Sequence, residues 1–530
     1  MKRSTLLKKI ALGVVAALTL SGCSIYGLIN GNNSSENSSS HGSFDTSYGD
    51  DSEGIVPKKI MDINETNGNY DMPSLGDVNI LVIPVSIVGY ESNATETNRQ
   101  KIETAFFGES SETSWESLAS FYEKSSYGNL RISGTVSPWF ECGYSAYEIS
   151  SFEDKKSSYF DPTVRILREA VAWYKKTQDS TGREFDSDSD GLIDGVWLVY
   201  DAPNYMNWSK LALTDKIKNV FWAYTYSDYE LKYAHPANPD PYRYCWASID
   251  FLFSGYGKNG IDTHTYIHET GHLLGLDDYY VASKSNDTPK NYSPMAGIDM
   301  MDNNIIDHDS FSKMALGWVE PKAASKNGTY TLKPYQTDGD CLIIPTDRGW
   351  NGSPFDEYIL IEYYTPTGLN KKDSDSYYPG SSIQLQGFTT SGIRIFHVDA
   401  RMVAYTAQSG PYYVDKVNQS NSVATTIAHS NSSAYNHLNP EFRLIQLMDA
   451  TKKRNFDMDN DPTNQFLYKN AYADNSSLFM KGDVFTYEKY KNSFPAYRYA
   501  KQSSMNNGSV FSKTITIDNI TSEGATITIS

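Results

Sequence analysis

The sequence predicts an α+β fold: a mixed helix–strand domain over residues 73–320, followed by β-rich structure. Three observations predict it. Apolar runs at Val78–Val85 (VNILVIPV), Leu130–Val136 and Gly195–Tyr200 read as strands. An amphipathic helix at Asp161–Lys176, with Pro162 near its start, falls between them. Beyond Pro321 the helical period gives way to short strand-like runs at Tyr330–Leu332, Cys341–Ile344, Tyr358–Tyr363 and Gly392–His397, set between Gly, Ser and Asn loops.

At 530 residues the chain is long enough for several domains. Residues 1–22 read as an export signal: Lys2, Arg3, Lys8 and Lys9 precede the apolar run Ile10–Leu20, too short for an ordinary span. The run ends in Leu20-Ser21-Gly22-Cys23, which resembles the lipobox of bacterial lipoproteins and implies lipidation of Cys23. Residues 23–72 are expected to form a disordered tether, because the Ser- and Asn-rich stretch 31–54 has too little apolar content to offset its ordering entropy. The β-rich part is divided into 321–450 and 451–530, the latter closing on TITIDNITSEGATITIS, two alternating strands about a turn.

Lys plus Arg total 46 against 64 Asp plus Glu, a net charge of −18. That balance argues against a nucleic-acid partner, which needs basic patches, and suits a protein that collects divalent cations. Of 4 cysteines, Cys142, Cys245 and Cys341 remain beside Cys23, which allows one internal disulfide at most.

The motif that decides the chemistry is His268-Glu269-Thr270-Gly271-His272. Spaced four apart on a helix, His268 and His272 present both imidazoles on one face, suited to a tetrahedral zinc ion. Glu269, beside the first ligand, is placed to act as general base. A catalytic zinc needs a third protein ligand. Gly275 can end the helix in a left-handed conformation, and Asp278, three residues on, then turns back to the metal. Asp277 is the rival; His264, one turn before His268, reads as a residue that supports a ligand or packs beside it.

This HExxHxxGxxD arrangement resembles the metzincins, with Asp in place of the third His. The resemblance implies a zincin-like catalytic domain and a methionine turn beneath the metal. Met295, between Pro294 and Gly297, has the more turn-like setting, with Met300 and Met301 as alternatives. Together with Ser117–Phe140, Phe311–Trp318, Glu357–Glu362 and Ser391–Asp399, the motif is similar to the immune inhibitor A family of secreted bacterial metallopeptidases. That likeness implies a zinc endopeptidase acting on extracellular proteins, and the lipobox resemblance implies that it is held to the outer face of the cell membrane through Cys23. Two other classes fit the motif: a zinc hydrolase for another bond, and a surface binding protein that retains a zinc site.

A second acidic constellation lies upstream. Asp186, Asp188, Asp190 and Asp194 occupy loop positions 1, 3, 5 and 9, with Gly191 at 6, the ligand spacing of a calcium loop. Position 12 is Trp197 and the next residues read as strand, so this is no EF-hand. Phe456–Asp461 is a poorer echo without the glycine and reads as a loop. His397 and Asp399 could form a site, although a lone His on a strand is more often a structural hydrogen-bonding group, and His235, His308, His429 and His437 show no partner in the sequence.

Overall fold

Strand β1 (Gly76–Val88) runs through the middle of a six-stranded sheet, and its residues Ile80 to Ile87 are all buried, as a strand covered on both faces requires. It runs parallel to β2 (Leu130–Val136) and, further along, to β3 (Phe140–Ser145). Its other neighbour, β4 (Val196–Tyr200), is also parallel. Strand β5 (Tyr224–Ser227) forms the far edge, antiparallel to β6 (Arg243–Ser248), which is itself parallel to β4.

This is a computed structural model, and it describes residues 45–48, 54–152, 161–207, 220–231, 234–255, 260–280, 293–302, 304–380, 385–405, 410–418, 423–432, 443–452, 472–498 and 500–530. The export signal, Cys23, His437 and Phe456–Asp461 lie outside the described residues.

Parallel neighbours need long crossovers, and these lay helices on both faces. Helices α1 (Glu96–Phe107) and α2 (Leu118–Ser125) cover one face, capped by Thr95 and Ser117. Helix α3 (Pro162–Thr177) covers the other, capped by Asp161 with Pro162 in its first turn. The alternation along β1 divides accordingly: Ile80 and Val82 face α1 and α2, while Leu81, Ile83 and Val85 face α3. The architecture is thus mixed helix and strand with several sheets, the coarse class that the sequence pattern predicts.

Helix α4 (His264–Leu273) shares the first face. Trp197 of β4 donates its indole N–H to Thr270 Oγ1 at 3.2 Å, and Tyr122 of α2 donates its hydroxyl to the Ile267 carbonyl at 2.7 Å. These bonds fix the helix against the sheet.

Residues 54–72, expected within the tether, are packed. The short helix Ile60–Asn64 buries Ile60 and Ile63, and Met72 is fully buried. Met72 N donates to the Leu273 carbonyl at 2.9 Å, so this stretch braces the C-terminal end of α4. The apolar residues are too sparse to give a period, but Ile60, Ile63 and Met72 are enough to join a core built by the rest of the chain.

The β-rich stretches are not separate units. A five-stranded sheet orders Lys322–Ala323, Cys341–Pro345, Glu357–Tyr364, Gly392–Asp399 and Ile445–Leu447. One face, with Ile343, Leu360, Phe396 and Val398, belongs to the same core as α4. The other face, with Leu342, Ile344, Ile359 and Ile395, packs on a four-stranded sheet of Gly328–Leu332, Gly524–Ile529, Thr514–Thr521 and Val484–Thr486. Gly328–Leu332 pairs with Gly524–Ile529 across the boundary expected at residue 450. The terminal hairpin forms as the alternation predicts, with Thr521 opposite Gly524. Among the described residues Cys142, Cys245 and Cys341 are buried and form no disulfide.

Candidate metal centre

The C-terminal end of α4 has the hydrogen bonds of a Schellman motif: Leu276 N donates to the Gly271 carbonyl and Gly275 N to the His272 carbonyl, both at 3.0 Å. Gly275 takes φ 96°, and a Cβ there would meet Asp71 Oδ2 at 2.6 Å, so both conformation and space require glycine. The reversal brings Asp278 back over the helix.

His268, His272 and Asp278 meet as expected, all buried, with one ligand atom from each within 4.8 Å of the others. Asp278 Oδ1 lies 3.0 Å from His268 Nε2 and 3.2 Å from His272 Nε2. A tetrahedral ion with bonds of about 2.0–2.1 Å would have ligand-to-ligand edges of roughly 3.3 Å, so these separations fit one. The tautomers fit as well. His268 Nδ1 donates to the Met300 carbonyl at 2.9 Å and His272 Nδ1 to the Leu276 carbonyl at 2.8 Å. In the neutral, ligating form each bond places the proton on Nδ1 and the lone pair on Nε2, the arrangement seen in ligating histidines. Among the described residues Asp278 Oδ2 is buried without a hydrogen-bond partner, which a bound cation would satisfy.

The charges agree. Burial opposes ionisation of Asp278, but His272 and His268 offset it and hold the carboxyl below its usual value. Burial likewise opposes the charged form of His272, yet the Asp278 carboxylate raises it to about 9. Glu269 is 1% exposed, and burial raises its carboxyl above the ordinary range. Its neighbour is Thr225 of the edge strand β5, whose Oγ1 lies 3.0 Å from the Glu269 carbonyl and 3.4 Å from Oε2.

The remaining candidates sort by geometry. Asp277 points away from the cluster and accepts the hydroxyls of Ser430 and Ser432. His264 is a packing residue: its ring lies 5.0 Å from Tyr378 and burial lowers its pKa to about 3. Met295 is buried in a turn with left-handed Ala296 and Gly297. The contacts that reach α4 come instead from the alternatives, through the Met300 carbonyl and through Met301, whose sulfur would lie 2.4 Å from a Cβ on Gly271. His397 bonds Glu357 at 2.8 Å and His429 bonds Asp399 at 2.9 Å, buried pairs inside the β-rich region. His235 pairs with Asp240, and His308 packs against Phe121, Tyr122 and Trp318.

In the upstream loop Asp186, Asp188 and Asp190 converge, but Asp194 does not join them. Asp194 accepts from Ser187 N at 2.9 Å and from its hydroxyl, which closes the loop across its base. Asp186 Oδ1 is buried without a hydrogen-bond partner among the described residues. Gly191 holds φ 91° against the backbone of His235, where no Cβ fits.

The sequence missed Thr225, Arg243 and Ser430–Ser432. Arg243 pairs with Asp71 and donates to the His272 carbonyl at 2.5 Å, holding the end of α4. None of these carries a local signature; each acts through a contact between distant segments. A scan against protein-family models finds no match, and a search of curated proteins finds none either. The likeness to immune inhibitor A-type peptidases therefore rests on the motifs quoted above.

Proposed function

We propose that the protein is a zinc-dependent endopeptidase of zincin type. The observation that carries this reading is the buried His268–His272–Asp278 cluster, with both Nδ1 atoms committed to carbonyls and Glu269 one residue from the first ligand. Zinc held by those three residues would supply Lewis-acid polarisation and lower the pKa of a water molecule. Glu269, kept from ionising readily by burial, is suited to accept a proton at its carboxylate and to return it to a leaving amine. Thr225 steadies the backbone and carboxylate of Glu269 from the sheet edge.

A peptide substrate is favoured by β5. It is the terminal strand of the sheet, beside α4, and an extended chain can add to such an edge through main-chain hydrogen bonds. Digestion of a proteome-derived peptide library tests the assignment: cleavage by the zinc-loaded protein, lost with chelator and regained with zinc, is expected. A library left intact by fully zinc-loaded protein would return the site to another hydrolysis or to binding. The lipobox supports anchorage at the outer face of a bacterial membrane, and fractionation of a Cys23→Ala variant tests it through the expected release.

The Asp186–Asp188–Asp190 loop is proposed to bind calcium. Burial raises Asp190 to about 6 and Asp194 to about 7. For carboxyls whose folded pKa exceeds the unfolded value near 4, the folded state binds the extra proton. Without a cation, stability therefore falls as pH rises through about 4 to 7. Calcium requires the ionised form and acts against that loss. Millimolar calcium is expected to raise the melting temperature more at pH 8 than at pH 5; at a hundredfold excess over Kd, binding to the folded state alone contributes about 2.7 kcal/mol. A melting curve indifferent to calcium at both pH values would leave these aspartates as a solvated turn.

A further inference from the structure

The loop that carries Asp278 has no regular secondary structure of its own, yet both residues flanking the ligand are held by one distant segment. The Asp277 carboxylate accepts the hydroxyl of Ser430 and, at 2.8 Å, that of Ser432. The same carboxylate accepts the Asp278 amide at 2.9 Å, which ties the side chain back to the ligand's own backbone. On the other side, Asn431 Nδ2 donates to the Tyr279 carbonyl at 2.9 Å. Asn431 is buried and anchored in turn: Nδ2 donates to the Ile445 carbonyl at 2.9 Å, and Oδ1 accepts from Leu444 N at 3.1 Å. Ser432 N donates to Ser430 Oγ at 3.1 Å, so the three residues form one turn.

We propose that Ser430–Asn431–Ser432 of the β-rich region is a positioning clamp for Asp278, so that the β-rich region completes the metal centre of the upstream domain. The inference rests on the zinc reading above and adds to it the part that holds the third ligand. The mechanism is entropic and geometric. His268 and His272 are carried by a helix whose backbone is fixed, whereas Asp278 follows the glycine reversal. Apart from the clamp, its neighbourhood is tied by the Tyr279 N to Met301 carbonyl bond at 2.8 Å. A carboxylate that must find the metal from a loose loop contributes less to affinity than one already in place. Partners that orient ligands in this way typically account for about 10- to 100-fold in metal affinity.

The experiment compares zinc affinity, by chelator competition, in the full-length parent and in Ser430→Ala/Ser432→Ala, with metal-free melting temperature as the control for folding. The double variant is expected to bind zinc about 10- to 100-fold more weakly while its metal-free melting temperature stays close to the parent's. The visible spectrum of the cobalt(II)-substituted variant is expected to change, because one carboxylate ligand is no longer held in place. A role confined to fold stability would lower the melting temperature and leave affinity and spectrum alone, and that result overturns the clamp. Should the double variant not fold, Ser432→Ala and Asp277→Asn carry the same comparison singly, and parental affinity in both overturns it. Absence of zinc binding by the parent would overturn the zinc reading and the clamp together, whereas tight parental binding with unchanged variants removes the clamp alone.

Discussion

Replacement of Glu269 by alanine is expected to reduce peptide hydrolysis by about 10²–10⁴-fold or more, with zinc content near one per chain. The separation of the two effects follows from position. Glu269 is one residue from His268 on α4, so its side chain leaves the helix about 100° from that of the ligand and is not one of the three donor groups. Removing it leaves the His268 Nδ1 bond to Met300 and the His272 Nδ1 bond to Leu276 in place. Burial and the proximity of both imidazoles set the proton affinity of this carboxylate, and no other described residue of the cluster can substitute for it: Asp278 is committed to the two histidines. Glu269→Gln, which keeps the shape and removes the basicity, is expected to match the alanine variant. Measuring kcat on one cleaved peptide beside zinc content by atomic absorption checks the point. Activity within twofold of the parent in either variant would show that another group moves the proton.

How much of this site the sequence discloses follows from the range of the contacts involved. The His268–Glu269–His272 spacing and the Gly275 reversal act within one helix and one turn, so residue types alone specify them. Asp278 over Asp277 is also suggested by the spacing after Gly275, although Asp277 is turned outward by a distant partner, Ser430. The calcium-loop spacing brings three of its four carboxylates together for the same local reason. Asp194 escapes the pattern because it begins to enter the sheet, two residues before β4, and its carboxylate is drawn to Ser187 across the loop.

What the sequence withholds is carried by long-range pairing. Nothing in Tyr224–Ser227 marks it as the antiparallel edge beside the motif helix, because a four-residue strand rich in tyrosine fits many sheets. The Ser430–Ser432 turn resembles the linkers around it, and its role depends on Asp277 and Tyr279 lying opposite. Residues 54–72 were too poor in apolar groups to be distinguished from the tether before them, although their few hydrophobes close the core around the end of α4. One pairing crosses the division of the β-rich part at residue 450: the strand at Gly328–Leu332 finds its partner at the C-terminus, which no local pattern encodes.

Asp278→Ala is expected to abolish zinc binding and hydrolysis together, unlike the Glu269 variants. Asp278 supplies the only anionic ligand of the cluster, and it faces both Nε2 atoms at 3.0 and 3.2 Å. Two neutral imidazoles without it form an incomplete site for a catalytic zinc, and the affinity is expected to fall by more than about 100-fold, beyond the range seen when only an orienting partner is lost. The metal-free protein offers a second readout with a definite sign. His272 is raised to about 9 by the Asp278 carboxylate, against an unfolded value near 6.5. A histidine raised in the folded state contributes stability that is fully present below about 6.5 and is lost as pH rises through about 9. Metal-free parent is therefore expected to lose melting temperature between those pH values, and Asp278→Ala to lack that decline. Chelator competition for the zinc affinity and thermal melts from pH 6 to 10 measure the two effects separately. If Asp278→Ala retained parental zinc affinity, the third ligand would have to come from elsewhere in the chain; if the pH-dependent decline persisted in it, the His272–Asp278 pair would not be its source.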